Sequence, residues 1–320
     1  MSEEEKKQIM DFADGYIDFI NTAKTEREAA REIRTMAEQA GFVDVNQAEN
    51  LRPGEKVYYI NHGKSVYMAV IGKDILTAGF NAVGAHIDCP RLDLKQEPLY
   101  EDNGLALLKT HYYGGIKKYQ WTTVPLALHG VVAFRDGRTQ EIRIGEDADD
   151  PVFLISDLLP HLAAKQNAKK LAEGVQGEKL NIIVGSVPDG EAEENKVKSG
   201  ILKILQEKYG MEEADFTSAE IEAVPAAKAR SLGFDGGLVA GYGQDDRVCA
   251  YPGLMGLLEL EQIPDRTAVC IFSDKEEIGS VGNTGMASLN FELFVMMLLE
   301  KTGIISPYAL QQTFSASRVL

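Results

Sequence analysis

The sequence predicts an α/β fold: a mixed sheet flanked by helices, split by an inserted β-rich domain. Three observations carry this. Helical and strand patterns alternate at both ends of the chain, over residues 1–93 and 232–320. Between them, over residues 94–231, hairpin signals and Gly- and Tyr-rich stretches replace the helical period. Finally, three short words bearing acids or an imidazole each stand just past an expected strand, where open α/β sheets gather their ligands.

At 320 residues the chain exceeds the usual size of one simple core, so two domains are expected. The 44% of hydrophobic residues suffices for a sizeable interior. A net charge of −16 repels phosphate backbones and argues against nucleic acid as a partner. No stretch reaches the roughly 20 apolar residues of a membrane span. Glu3, Glu4 and Glu5 stand where a signal peptide needs basic residues. Cys89, Cys249 and Cys270 are few, scattered and odd in number, which suits reduced thiols and a cytoplasmic location.

In chain order, Phe12, Tyr16, Phe19 and Ile20 recur at helical spacing. Thr25 and Glu28 form a T-x-x-E capping box for a second helix that closes at Gly41. Residues 57–60 and 66–71 read as strands, and 80–85 as a third that delivers His86. Residues 100–119 lack helical period. Residues 131–134 and 141–144 flank Arg135-Asp136-Gly137-Arg138, a hairpin signal around Asp-Gly. Residues 180–186 read as a strand, 189–195 as an acidic loop and 196–209 as a helix ending at Gly210. Alternation resumes with a short strand at 238–241 and a helix at 247–261, broken or started near Pro252. A buried strand follows at 268–273. Asn290 is the expected cap of a helix running through Glu300 and ending before Gly303.

The chemistry lies in His86-Ile87-Asp88, Asp245-Asp246-Arg247 and Glu276-Glu277-Ile278-Gly279-Ser280. Taken alone, H-x-D is more often a core or surface histidine near an unrelated acid. Its functional reading has His86 bind a metal through one ring nitrogen while Asp88 accepts the other N–H and fixes the tautomer. Cys89, beside Pro90, reads better as a small buried thiol than as a ligand. Asp-Asp-Arg is either a polar turn with a surface ion pair or a metal site. In the second reading Asp245 bridges two cations, Asp246 caps the next helix and Arg247 neutralises surplus carboxylate. A bridging anion offsets the repulsion of metals about 3.5–4 Å apart. Glu276-Glu277 is the most specific word, because it closely follows an apolar strand. Adjacent residues leaving a strand point in different directions. One acid can then ligate metal while the other faces the attacking water as a general base. His62, His111, His129 and His161 read as structural or surface residues, His161 inside a helix.

This ordered set, with a long insertion between its first two words, resembles the aspartyl aminopeptidase family, and most of all its bacterial members named only as probable aminopeptidases. The resemblance runs from the N-terminal helices to Leu320. The related tetrahedral aminopeptidases share the acidic words but carry a shorter insert. The resemblance implies a zinc-exopeptidase-like mixed sheet, an insert that serves dimerisation, and dodecameric assembly. It also implies a two-zinc metalloaminopeptidase that removes N-terminal, acidic residues from peptides. By motif match, His86 would bind one zinc, Glu277 the other and Asp245 both; Glu276 would be the general base and Asp88 would orient His86. Manganese or cobalt would suit the same donors.

Two departures from the family pattern stand out. Two further ligands, an Asp in a Ser-Ala-Asp word and a late His, have no counterpart before the closing Phe314-Ser315-Ala316-Ser317-Arg318-Val319-Leu320. A C-terminally truncated chain, inactive alone, is therefore expected. The family also has an insert histidine that reaches a neighbouring subunit's site; Asp157 matches it in register, and His161 with a shift. Two rival readings are a non-catalytic assembly subunit or scaffold with an incomplete metal site, and a metal-free hydrolase using two carboxylates. H-x-D at a strand end argues against the latter.

Overall fold

The computed structural model describes residues 2–320. Helices α1 (Glu3–Thr22) and α2 (Glu26–Gln39) come first. Both open with capping boxes, Ser2 with Glu5 and Thr25 with Glu28, which satisfy N–H groups that a first helical turn leaves without partners. Strands β1 (Val43–Asp44), β2 (Lys56–Asn61), β3 (Ser65–Val70) and β4 (Asn81–His86) follow. Next come β5 (Arg91–Asp102), β6 (Leu105–Tyr113), β7 (Leu126–Ala133) and β8 (Thr139–Ile144). After the short helices α3 (Ala164–Asn167) and α4 (Leu171–Gly174) come β9 (Ile182–Gly185), α5 (Lys196–Tyr209) and β10 (Ala219–Pro225). The chain ends with β11 (Arg230–Leu232), β12 (Leu238–Ala240), α6 (Gln244–Leu258), β13 (Ala268–Ser273), α7 (Asn290–Lys301), α8 (Ala309–Ala316) and β14 (Arg318–Val319).

These elements form two compact units, Met1–Cys89 with Ala229–Leu320, and Pro90–Lys228. The strand that opens the second unit, β5, already pairs at Arg91 with Tyr113, so residues 90–93 travel with that unit.

The first unit is built on a six-stranded mixed sheet in the order β1-β2-β3-β13-β4-β14. Strands β13, β4 and β14 run parallel to one another, while β3 is antiparallel to both β2 and β13. All six residues of β3 are buried, because both faces of the sheet are covered. Alternate residues serve opposite cores. Val66, Met68, Val70, Cys270 and Phe272 pack with Phe19 and Ile20 of α1, Ile33 of α2 and Leu254 of α6. Tyr67, Ala69, Val269 and Ile271 pack with Phe291, Phe294 and Leu298 of α7. The strand-like period of two in the middle of the sheet thus meets an apolar helix face on each side.

The second unit carries an antiparallel six-stranded sheet, ordered β8-β7-β10-β5-β6-β9. Gly210 ends α5 in the left-handed conformation that glycine adopts freely. His129 is buried in this sheet with Glu146 3.3 Å from its Nε2, a structural placement. Among the described residues no helix is long and apolar enough to cross a membrane.

The structure corrects several local expectations. His161 is not helical: it sits in an exposed turn ahead of α3. Asn290 is the first residue of α7 rather than its cap; its amide donates instead to the Asn283 carbonyl and the Ser288 hydroxyl. The strand at 238–240 pairs only with β11 in a separate two-stranded ribbon. Pro252 lies inside α6 without ending it.

Candidate metal centre

The sheet register sets the centre. Strands β4 and β13 run parallel with His86 opposite Ser273, so both release their chains at the same edge. The carboxyl ends of adjacent parallel strands leave a crevice where ligands collect. His86 emerges from one strand; Glu276 and Glu277 follow the other within a short 3-10 turn, Glu276–Ile278. Asp245 reaches the same place from the start of α6, where its own backbone and that of Asp246 are non-helical and their shared peptide is cis.

The side chains converge. Donor atoms of His86, Asp245 and Glu277 all lie within 4.8 Å of one another. His86 Nε2 is 3.1 Å from Asp245 Oδ1 and 3.6 Å from Glu276 Oε2. His86 itself is nearly buried, whereas the side chains of Asp245 and Glu276 are largely open to solvent. A sunken imidazole ringed by accessible carboxylates is a donor set that zinc accepts, with manganese and cobalt as competitors. The residues therefore fit a divalent cation.

Asp88 organises this set from beneath. It is fully buried. Its Oδ1 is 3.2 Å from His86 Nδ1, and its own carbonyl lies 3.0 Å from the same nitrogen. Its two carboxylate oxygens also accept the backbone N–H groups of Glu276 and Glu277, each at 3.2 Å. One carboxylate thus fixes the histidine ring and anchors both glutamates. Burial opposes a charge on His86, but its hydrogen bonds to Asp88 and the charges of Asp88 and Glu276 outweigh it, pushing the imidazole up to about 9. A metal would replace the proton on Nε2, leaving Nδ1–H to donate toward Asp88.

One neighbour, Arg247, behaves differently from expectation, and another, Cys89, is buried as expected. Arg247 does not meet surface acids: it is wholly buried, and its Nη2 donates to the carbonyls of Lys24 and Ile87. It ties the segment before α2 to the middle of the His86–Asp88 word. A side chain at position 243 would lie 2.3 Å from Arg247 Nη1, which is why a glycine stands there. Cys89 is buried and its thiol donates to the Asp245 carbonyl at 3.0 Å, so it holds the segment that carries Asp245.

Asp157 and His161 belong to the second unit. Asp157 is exposed and accepts the Leu158 N–H and the Gln166 amide. Asp274 and Thr284, which sequence pattern does not single out, lie beside the glutamate turn, where Asp274 accepts the Lys275 N–H and the Thr284 hydroxyl. The only hint was an acid closing an apolar strand, immediately before Lys275.

A model of the aminopeptidase I zinc metalloprotease family, M18, matches residues 19–317. The chain is 49% identical over 320 residues to a probable M18 family aminopeptidase 1 of Clostridium acetobutylicum, covering 98% of this chain and 68% of the relative. It is 48% identical over 296 residues to the namesake of Thermotoga neapolitana, covering 92% of this chain and 64% of the relative. The chain thus spans about two thirds of the length of the curated relatives it matches. The crystal structure of an M18 aminopeptidase from Thermotoga maritima superposes with a TM-score of 0.94 at 43% identity, over 98% of this chain and 69% of that one. A more distant likeness, at 17% identity and a TM-score of 0.74, is to the mApe1 dodecamer of S. cerevisiae, over 98% of this chain and 71% of that one; it shows the shared fold.

Proposed function

This chain belongs to the M18 family of aminopeptidase I zinc metalloproteases, and from that premise we propose that it serves a zinc-dependent aminopeptidase that removes N-terminal residues, acidic ones by preference, from peptides. The observation that supports this best is the convergence of His86, Asp245 and Glu277, with Glu276 alongside. In this reading His86 would hold one of two zinc ions, Glu277 the other, and Asp245 would serve both. Bound zinc would polarise the scissile carbonyl and lower the pKa of the attacking water.

The protein's own residues supply the rest. Asp88 keeps the His86 ring turned so that Nε2 faces the carboxylates. Glu276 takes a proton from water and returns it to the leaving amine, which a solvent-open carboxylate can do without losing its contacts. The excess of carboxylates also offers a partner for the free amino group of a peptide.

The same reading makes residues 1–89 and 229–320 the peptidase domain and the second unit a dimerisation domain. Leu158, Leu159, Leu162, Leu171 and Val187 are all exposed on that unit, the kind of apolar surface that marks association. Assembly as a dodecamer in the cytoplasm completes the proposal. A loop of the second unit, through Asp157 or His161, would enter a neighbouring copy's centre.

Zinc titration of the protein tests the site, and hydrolysis of an acidic aminoacyl substrate tests the chemistry. We expect zinc binding that His86→Ala abolishes. In a chain of the relatives' full length we expect Glu276→Gln to keep its zinc and lose turnover by about 10²–10⁴-fold. Zinc affinity unchanged in His86→Ala, or normal turnover in Glu276→Gln, would end the reading.

A further inference from the structure

The two glutamates ride on a loop whose geometry is set from its far side. After β13 the backbone turns left-handed at Lys275, again at Gly279 and Ser280, and again at Gly282. The Lys275 carbonyl accepts the Ser280 N–H at 2.7 Å, and the Ser280 carbonyl accepts the Ala287 N–H at 3.0 Å. A side chain at Gly285 would lie 2.1 Å from the Ser280 carbonyl oxygen, so the loop's two limbs press together there.

At the neck of the loop Asp274 pairs with Gly285 in an isolated bridge. The Asp274 side chain closes the neck: Oδ1 accepts the Lys275 N–H at 2.8 Å, and Oδ2 accepts the Thr284 hydroxyl at 2.5 Å. Both residues are almost wholly buried. The far limb is held in turn, since the Thr284 carbonyl accepts the Ser65 hydroxyl and the Asn283 carbonyl accepts amides from Asn61 and Asn290. No catalytic reading needs Asp274, and burying an acid is costly. It stands at the neck of the loop, where its carboxylate joins the two limbs.

We propose that Asp274, through Thr284, is a positioning residue that aims Glu276 and Glu277. Asp88 grips the loop's backbone at the two glutamates; Asp274 fixes the neck two residues before the first of them. Two buried carboxylates, Asp88 and Asp274, thus hold the backbone that carries Glu276 and Glu277. The proposal rests on reading Glu277 as a metal ligand and Glu276 as the base. It gives Asp274 no contact with metal or substrate.

The test compares wild type with Thr284→Val, which keeps the volume and loses the hydroxyl, with Thr284→Ser, which keeps the hydroxyl, and with Asp274→Asn. Two quantities are read: zinc affinity by competition with a chromophoric chelator, and amide hydrogen exchange of metal-free protein. We expect Thr284→Val to weaken zinc about 10–100-fold, the usual cost of removing a group that orients a ligand. Residues 275–280 should exchange faster while β13 and α7 keep their protection. Thr284→Ser should restore both readouts, and Asp274→Asn should fall between. Unchanged zinc affinity and unchanged exchange at 275–280 in Thr284→Val would overturn the proposal, as would loss of protection spread evenly over the unit with zinc affinity intact. If wild type binds no zinc, the metal reading fails, and the exchange arm alone still decides whether Asp274 and Thr284 hold the loop.

Discussion

At the scale of single residues, Asp88 does three jobs at one carboxylate, and His86 reports on them. A histidine whose folded pKa is raised contributes stability that is complete below its unfolded value, about 6.5, and is lost as pH climbs through its folded value. For His86 that folded value is about 9, so zinc-free protein should lose stability between those limits. Urea midpoints from pH 6 to 9.5 measure this slope. Asp88→Asn should flatten it and bring the His86 NMR titration back toward its ordinary range. Because zinc needs Nε2 unprotonated, zinc affinity should rise with pH across the same window in wild type and less in the variant. The words that carry the converging side chains were legible because acids and an imidazole after apolar strands break the strand pattern. Arg247 was not: a guanidinium after two aspartates reads as an ion pair, and only the fold reveals that backbone carbonyls surround it. Asp274 was hidden for the same reason, since its partner lies ten residues on, across a loop.

At the scale of elements, local chemistry explains which boundaries could be read. The Thr25–Glu28 box is a reciprocal pair three residues apart, so the start of α2 is written in the sequence. Its side chains are buried as well as bonded, with the Glu28 carboxylate accepting the N–H groups of both Lys24 and Thr25. Thr25→Ala should therefore lower stability by about 1 kcal/mol, measurable by denaturant unfolding, with little effect on zinc affinity. Strand β13 was legible end to end because six apolar or small residues are bounded by polar ones, Arg266 and Thr267 before and Asp274 after. The start of α7 was not: Asn290 looks like a cap, but its amide is drawn to the loop carbonyl of Asn283, and tertiary bonding overrode a local preference. The strand at 238–240 was found, yet its pairing with β11 was invisible to pattern alone, because period two says nothing about partners.

At the scale of the whole molecule, two units with separate cores make a separable prediction. All the proposed metal donors lie in the unit formed by residues 1–89 and 229–320. A ligand stabilises only what it binds, by about 2.7 kcal/mol at a free concentration 100-fold above Kd. Added zinc should therefore slow hydrogen exchange in peptides from that unit and leave the β5–β10 sheet unchanged; equal protection in both would count against the assignment. The insertion was legible as a change of texture, from alternating helix and strand to hairpins. Its seams at Cys89/Pro90 and Lys228/Ala229 came from pairing, which composition does not encode. The facing of Ser273 and His86 on neighbouring parallel strands has one more consequence. A slip of β13 by one residue would invert its side chains and carry both glutamates away from the imidazole. Only molecules in the correct register would then present the three donor atoms together.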